Sequence, residues 1–288
     1  RIFEEKTGIR VLPVFDTEAS KSVGLVNRLI AERARPRCDV FWNNEIAHTL
    51  VLKQKGILAP YASPQAEDIP AQYKDPNHFW TGFAARARII IVNKDLVSSL
   101  HRPTTIWDLA DPHWRGRTAI ANPLFGTTAT HAATLFAYYG PEKAKGYFLA
   151  LKENNVIVAA GNAMVRDMVA RGEAAFGLTD TDDANGAIED GKPVEIVIPD
   201  QHEGGPGVLV IPNTVSLIAG APHKDEGKKL IDYLLSPEVE LMLAEMECAQ
   251  IPLRRGLALP KGIMPIERLR TLNVDLLETA DLMPKVFP

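Results

Sequence analysis

Apolar and polar positions along this chain switch between a helical rhythm and an alternating one, and the switches mark its elements. Phe3-Glu4-Glu5-Lys6-Thr7-Gly8 ends on a glycine shortly after a basic residue, as at a helix C-terminus, and residues 9–14 then read as a strand. Within 21–33, Val23, Leu25, Val26, Leu29 and Ile30 recur at helical spacing, and residues 38–42 follow as a short strand. The alternation continues with a helix over 46–55, a strand over 89–93, a helical turn over 106–109 and a strand over 118–121. The second half predicts helices over 128–139, 141–154 and 163–171, a strand over 174–178, a helix over 184–189 and an extended stretch over 194–198. His202-Glu203-Gly204-Gly205-Pro206-Gly207 leads into extended segments at 208–211 and 216–219, and helices over 225–235 and 237–247 precede a proline-punctuated tail. Strands alternating with helices place the chain in the α/β class and predict a mostly parallel sheet.

Composition narrows the function. With 288 residues, 46% of them hydrophobic and 24% charged, the chain has material for one large domain or two ordinary ones. A net charge of −4 and the lack of any Lys/Arg-rich block argue against a nucleic-acid partner. No apolar run approaches the roughly 20 residues of a membrane helix. Cys38 and Cys248 lack metal-site spacing, which argues against zinc, and whether they pair is a question of distance. The first residues, Arg1 to Lys6, do not have the pattern of a signal peptide, as in a chain from which one has been removed.

Four strand-to-helix loops carry candidate chemistry. Thr179-Asp180-Thr181-Asp182-Asp183 follows a predicted strand, and its crowded carboxylates repel unless a cation, an ammonium or helix N–H groups offset them. Capping of a helix from Ala184 by Asp182 or Asp183 accounts for one carboxylate but not for three. Gly126-Thr127-Thr128 opens a predicted helix, where unpaired N–H groups and two hydroxyls suit either an anion or ordinary capping. Asp16-Thr17-Glu18-Ala19-Ser20 and Trp42-Asn43-Asn44-Glu45 are two further polar turns, each readable as a cap. Arg86 and Arg88 fall on one face of a strand, placed for an anion or for an ion pair. No Gly-x-Ser-x-Gly elbow, His-Glu-x-x-His or dinucleotide fingerprint is present, and His48, His131, Tyr138 and Tyr139 read as packing residues.

Taken in order, several phrases resemble the periplasmic solute-binding proteins of ABC importers, in the ferric-iron-binding branch. They are Phe3 to Val11, Cys38-Asp39-Val40-Phe41-Trp42-Asn43-Asn44-Glu45, Arg86-Ala87-Arg88, Trp107-Asp108-Leu109 with Trp114-Arg115-Gly116-Arg117, and Gly172 to Gly177. Ala221-Pro222-His223 and Leu234-Leu235-Ser236-Pro237-Glu238 close the set, which covers nearly the whole chain. The resemblance implies a two-lobed, type II periplasmic-binding-protein fold, each lobe a mixed sheet flanked by helices with the ligand cleft between them. Residues 1–92 plus 208–256 form lobe 1, and 93–207 plus 257–288 form lobe 2. It also implies a periplasmic or extracellular location, with a lipid tether as an option, and an inner-membrane ABC permease as partner of a monomeric receptor. Relatives begin with a strand ahead of the helix that ends at Gly8, and that strand is not in this sequence.

Ferric-binding relatives place adjacent tyrosines where this sequence has Asp180 and Thr181, so phenolate ligation at that loop is excluded. Carboxylates remain hard ligands, which leaves a ferric ion with its anion open as cargo, though not through a tyrosine pair. The other cargo is an organophosphorus solute, an aminophosphonate or a sugar phosphate. Its anionic end would lie on Gly126, Thr127 and Thr128, and its cationic or hydroxyl-rich end on Asp180, Asp182 and Asp183. The candidate ligand residues are therefore Thr17, Ser20, Asn43, Asn44, Glu45, Arg86, Gly126, Thr127, Thr128, Asp180, Thr181, Asp182 and Asp183. The sequence identifies no cofactor with certainty. The rival function is an enzyme acting on a phosphate or phosphonate ester, but no nucleophile–base pair stands in these loops.

Overall fold

The computed structural model of the chain describes residues 1–16 and 23–286. Helix α1 (Ile2–Thr7) stops at Gly8, whose left-handed φ of 71° turns its N–H back to the Glu4 carbonyl at 2.8 Å. Next come α2 (Val23–Ala31), β1 (Val40–Asn43), α3 (Ile46–Gln54), β2 (Leu58–Ala59) and the long β3 (Thr81–Asn93). A short 3₁₀ turn, Ile106–Ala110, is held at its start by a Thr105–Asp108 capping box. Then follow β4 (Thr118–Ala121), α4 (Gly126–Tyr139), α5 (Pro141–Glu153), β5 (Ile157–Ala159), α6 (Asn162–Ala170), β6 (Phe176–Asp180) and α7 (Thr181–Glu189). The chain closes with β7 (Val194–Val197), β8 (Val210–Ile218), α8 (Lys224–Leu234), α9 (Pro237–Glu245) and α10 (Leu276–Val286).

Two compact units divide the chain. The first comprises Arg1–Ala85, Pro212–Leu243 and Pro252–Leu259. In it β1 and β2 both pair antiparallel with β8, and Val26, Leu29, Phe41, Leu52, Ile57, Leu58 and Ile218 form an apolar core. The second unit comprises Arg86–Ile211, Ala244–Ile251 and Pro260–Pro288. Its mixed sheet has β3 antiparallel to both β6 and β7, with β6 parallel to β4 and β4 parallel to β5. Ile90, Leu109, Trp114, Ile120, Tyr147, Phe176 and Leu178 fill its core, the Trp114 ring standing edge-on to Phe176 at 5.2 Å.

Several departures from the sequence reading have local causes. Residues 9–14 form no strand: Pro13 cannot donate, Leu12 and Val14 are exposed, and Val11 gives its N–H to the Glu4 carboxylate at 2.8 Å instead. The segments read at 208–211 and 216–219 are parts of a single strand, β8. Because β3 runs against its neighbours, the second unit's sheet is mixed rather than mostly parallel. The division between the units falls at Ala85, inside β3.

Gly177 sets how closely α6 lies on this sheet. A Cβ there would stand 2.5 Å from Val165 Cγ1 and 2.8 Å from the Ala119 carbonyl oxygen. Gly177→Ala should therefore destabilise the protein by about 1–3 kcal/mol, the range for overpacking. A urea midpoint equal to that of the wild type would show that α6 can shift to admit the methyl.

Candidate functional site

Strand β6 is buried along its whole length and delivers Asp180 to its C-terminal end, where α7 begins. Helix α7 starts at Thr181, so Asp180 occupies the N-cap position, ahead of the Ala184 start expected from the sequence. Its carboxylate makes no cap bond. The antiparallel register sets Arg88 of β3 directly opposite Asp180, and Arg88 Nη1 donates to Asp180 Oδ1 at 2.7 Å. Both residues are fully buried. Further along the same face of β3, Arg86 Nη1 lies 3.5 Å from Asp182 Oδ2. Thr181 joins by accepting the Ala87 N–H at 3.2 Å.

Two helix starts converge on this pair. Thr127, in the first turn of α4, donates its hydroxyl proton to Asp180 Oδ2 at 2.7 Å and accepts from Arg88 Nη1 at 3.2 Å. Asn162, the first residue of α6, donates to Asp180 Oδ2 at 2.8 Å and to Thr127 Oγ1 at 2.7 Å, and accepts from Arg88 Nη1 at 3.1 Å. Arg88 Nη2 reaches Thr128 Oγ1 at 3.2 Å, whose hydroxyl faces Asn162 Oδ1 at 3.3 Å. His131, buried one turn further along α4, is pushed down to about 3 by burial and then by Arg88, so it stays neutral.

The acidic side is strained in charge. One oxygen from each of Asp180, Asp182 and Asp183 lies within 4.8 Å of the others. Burial raises the Asp182 carboxyl above its ordinary value, with Arg86 opposing and Asp180 adding to the rise. Burial, then Asp182 and Asp180, push Asp183 up to about 7, while the Thr179 hydroxyl at 3.2 Å and Arg166 work the other way. Asp182 Oδ1 is buried with no hydrogen-bond partner among the described residues. Arg88 and Arg86 thus face Asp180 and Asp182, while Arg166 acts on Asp183.

Of the residues expected from the sequence, Arg86, Gly126, Thr127, Thr128, Asp180, Thr181, Asp182 and Asp183 come together in the second unit. Asn43, Asn44 and Glu45 belong to the first unit. There Asn43 is buried, bonding to the Glu45 backbone and to Thr49 Oγ1 at 3.1 Å, which shapes the turn into α3. Asn44 is exposed, and buried Glu45 sits at the N-cap of α3 without a side-chain cap bond. Thr17 and Ser20 lie outside the described residues. Arg88 and Asn162 are the members missing from that set. Arg88 reads equally as a structural ion pair, and Asn162 follows the three-residue strand β5, too short for its alternation to register; the Gly161-Asn162 step into a helix was the available signal.

Tyr138 and Tyr139 lie at the far end of α4, about 18 Å along the helix from Thr127. Tyr139 packs against Trp107, with the Lys143 ammonium 4.2 Å from its ring centroid. Cys38 and Cys248 are not joined in a disulfide, and no helix among the described residues is long and apolar enough to cross a membrane.

Two α/β units, the second with a polar cluster where strand ends meet helix starts, define a protein that grips a small solute. Residues 48–261 match the family of bacterial extracellular solute-binding proteins, and the chain belongs to that family of binding proteins, not enzymes. Iron uptake protein A1 of Synechocystis is 26% identical over 91% of this chain and 73% of its own length. A Salmonella typhi periplasmic protein, provisionally named for 2-aminoethylphosphonate binding, is 28% identical over 85% of this chain and 70% of its own. The crystal structure of iron-bound HitA from Pseudomonas aeruginosa shares the fold, with a TM-score of 0.87 at 21% identity, over 99% of this chain and 92% of that one.

Proposed function

We propose that this chain is the solute receptor of an ABC importer, acting as a monomer outside the cytoplasmic membrane and handing its cargo to a permease. Its solute is a small organophosphorus compound that also carries an ammonium group or hydroxyls, of the aminoalkylphosphonate or sugar-phosphate class. The observation that carries this reading is the convergence of Asp180, Asp182 and Asp183, one oxygen of each within 4.8 Å of the others, with a buried carboxylate oxygen of Asp182 lacking a partner among the described residues. An ammonium group would favour the ionised form of Asp183, and an ammonium or hydroxyl would supply the donor that Asp182 Oδ1 lacks. A trivalent metal would meet two guanidinium groups at close range. Arg86, Asp182 and Asp183 make the contact, while Gly126, Thr127, Thr128, Asp180 and Thr181 hold it in shape.

A second reading, a ferric ion with a companion anion, draws on the three carboxylate oxygens within 4.8 Å of one another. Calorimetric titration with 2-aminoethylphosphonate, a hexose phosphate and ferric citrate separates the two. Saturable binding of a phosphorus compound, recovered unchanged, is expected, and the iron-treated protein should stay colourless because no tyrosine is in the cluster. An orange or red sample, or binding of iron alone, would overturn the organic-solute reading.

A further inference from the structure

The hydrogen-bond arithmetic around Arg88 says more than that an ion pair is present. Arg88 Nη1, the Thr127 hydroxyl and the Asn162 amide all donate to the two oxygens of Asp180, at 2.7, 2.7 and 2.8 Å. A hydroxyl has one proton, and Thr127 gives its own to Asp180 while accepting from both Arg88 and Asn162. Thr128 accepts from Arg88 and turns its proton toward Asn162 Oδ1. Neither threonine hydroxyl has a proton left for an outside anion. With the Asp180 carboxylate set aside, what remains is a buried guanidinium, a hydroxyl, a carboxamide and the positive starts of α4 and α6, which is the donor set of a carboxylate seat. Asp180 also forgoes the cap bond that an N-cap aspartate ordinarily makes, so its carboxylate is diverted into that seat.

We propose that Asp180 is a tethered anion that fills a ready-made carboxylate seat, and that it is thereby the specificity-determining residue that keeps anionic solute groups off the α4 start. The consequence for the solute rests on the receptor reading above. The seat itself does not. Any anionic end of the solute must find donors other than the Thr127 and Thr128 hydroxyls, and the group that meets this cluster is the cationic or hydroxylic one.

The test removes the tether and offers a free anion of the same shape. Asp180→Ala leaves the volume of one carboxylate, which formate fits. The variant should melt lower than the wild type, and formate should raise its melting temperature by about 2–4 °C near tenfold saturation, with no such rise in chloride at equal ionic strength. Formate should bind it about tenfold or more tighter than the wild type, and the added substitution Arg88→Met should abolish the rescue. In the wild type, the amide resonances of Gly126, Thr127 and Thr128 should not move with millimolar sulfate. Formate acting on Asp180→Ala no more than chloride does would overturn the proposal, as would saturable sulfate shifts at those amides. The sulfate titration decides the matter alone if the variant does not fold. Rescue by formate in a protein that binds no solute would leave the seat standing and remove only the receptor reading.

Discussion

Replacing Arg88 by methionine should cost the protein about 3–5 kcal/mol, the largest loss expected from any single substitution in the second unit. The side chain is fully inaccessible and so is its partner Asp180, so the substitution leaves a charged carboxylate in a place water does not reach. Thr127 and Asn162 still donate to that carboxylate, but their hydrogen bonds, about 1.5–3 kcal/mol each, bring no positive charge to replace the guanidinium. Exposed pairs such as Arg171–Glu173 serve as the control, and breaking that one should leave the denaturant midpoint nearly unchanged. Adding Asp180→Leu to Arg88→Met should recover much of the loss, since an apolar pair of similar volume tolerates the site better than a lone charge. Denaturant midpoints across this cycle measure the coupling. A loss below about 1 kcal/mol for Arg88→Met would show that water reaches Asp180 and that the network is a surface feature.

The second large effect is a dependence on pH that reverses when a cation binds. Asp183 is raised from the ordinary carboxylate range up to about 7, chiefly by burial and then by Asp182 and Asp180. A carboxyl raised in the folded state holds its proton more tightly there than in the unfolded chain. Its stabilising contribution is therefore complete below about pH 4 and is lost as pH rises through about 7. At about 1.4 kcal/mol per unit, the stability of the unliganded wild type relative to Asp183→Asn should fall by up to about 4 kcal/mol between pH 4 and pH 7.5. Asp182, raised in the same direction, adds to the slope that remains in the variant. Binding of an ammonium-bearing solute should strengthen over the same interval, because the cation favours the ionised carboxylate, and proton release on binding should show in calorimetry run in buffers of different ionisation enthalpy. A wild-type-minus-variant stability difference that stays flat from pH 5 to 7.5 would mean that Asp183 is ionised throughout.

Much of the architecture was legible because its causes are local. Gly8 stops α1 by taking a left-handed conformation, and Pro141 opens α5 directly after Gly140. The helical spacing of Val26 and Leu29 marks a face that is buried in the first unit's core. The acidic run after β6 and the Gly-Thr-Thr helix start stood out as chemistry because strand-to-helix turns leave unpaired N–H groups whatever surrounds them. Less legible were elements whose existence depends on neighbours. Strand β5 is three residues long and is held by its pairing to β4, and residues 9–14 have strand-like composition but no partner to pair with.

Local sequence thus determined the α/β alternation, the positions of most helices and the presence of carboxylates and hydroxyls at strand ends. The tertiary structure decided what those groups do. Asp180 and Arg88 are 92 positions apart, and only the antiparallel register of β3 and β6 sets one opposite the other. The threonines' hydroxyl protons are committed to Asp180 and Asn162 because α4 and α6 begin against the same strand end, as Gly177 allows α6 to approach. A charged side chain's partner, and the amount of water it retains, are properties of packing between distant segments. One-dimensional order carries the spacing of residues within a helix or strand, not which strand will lie beside it.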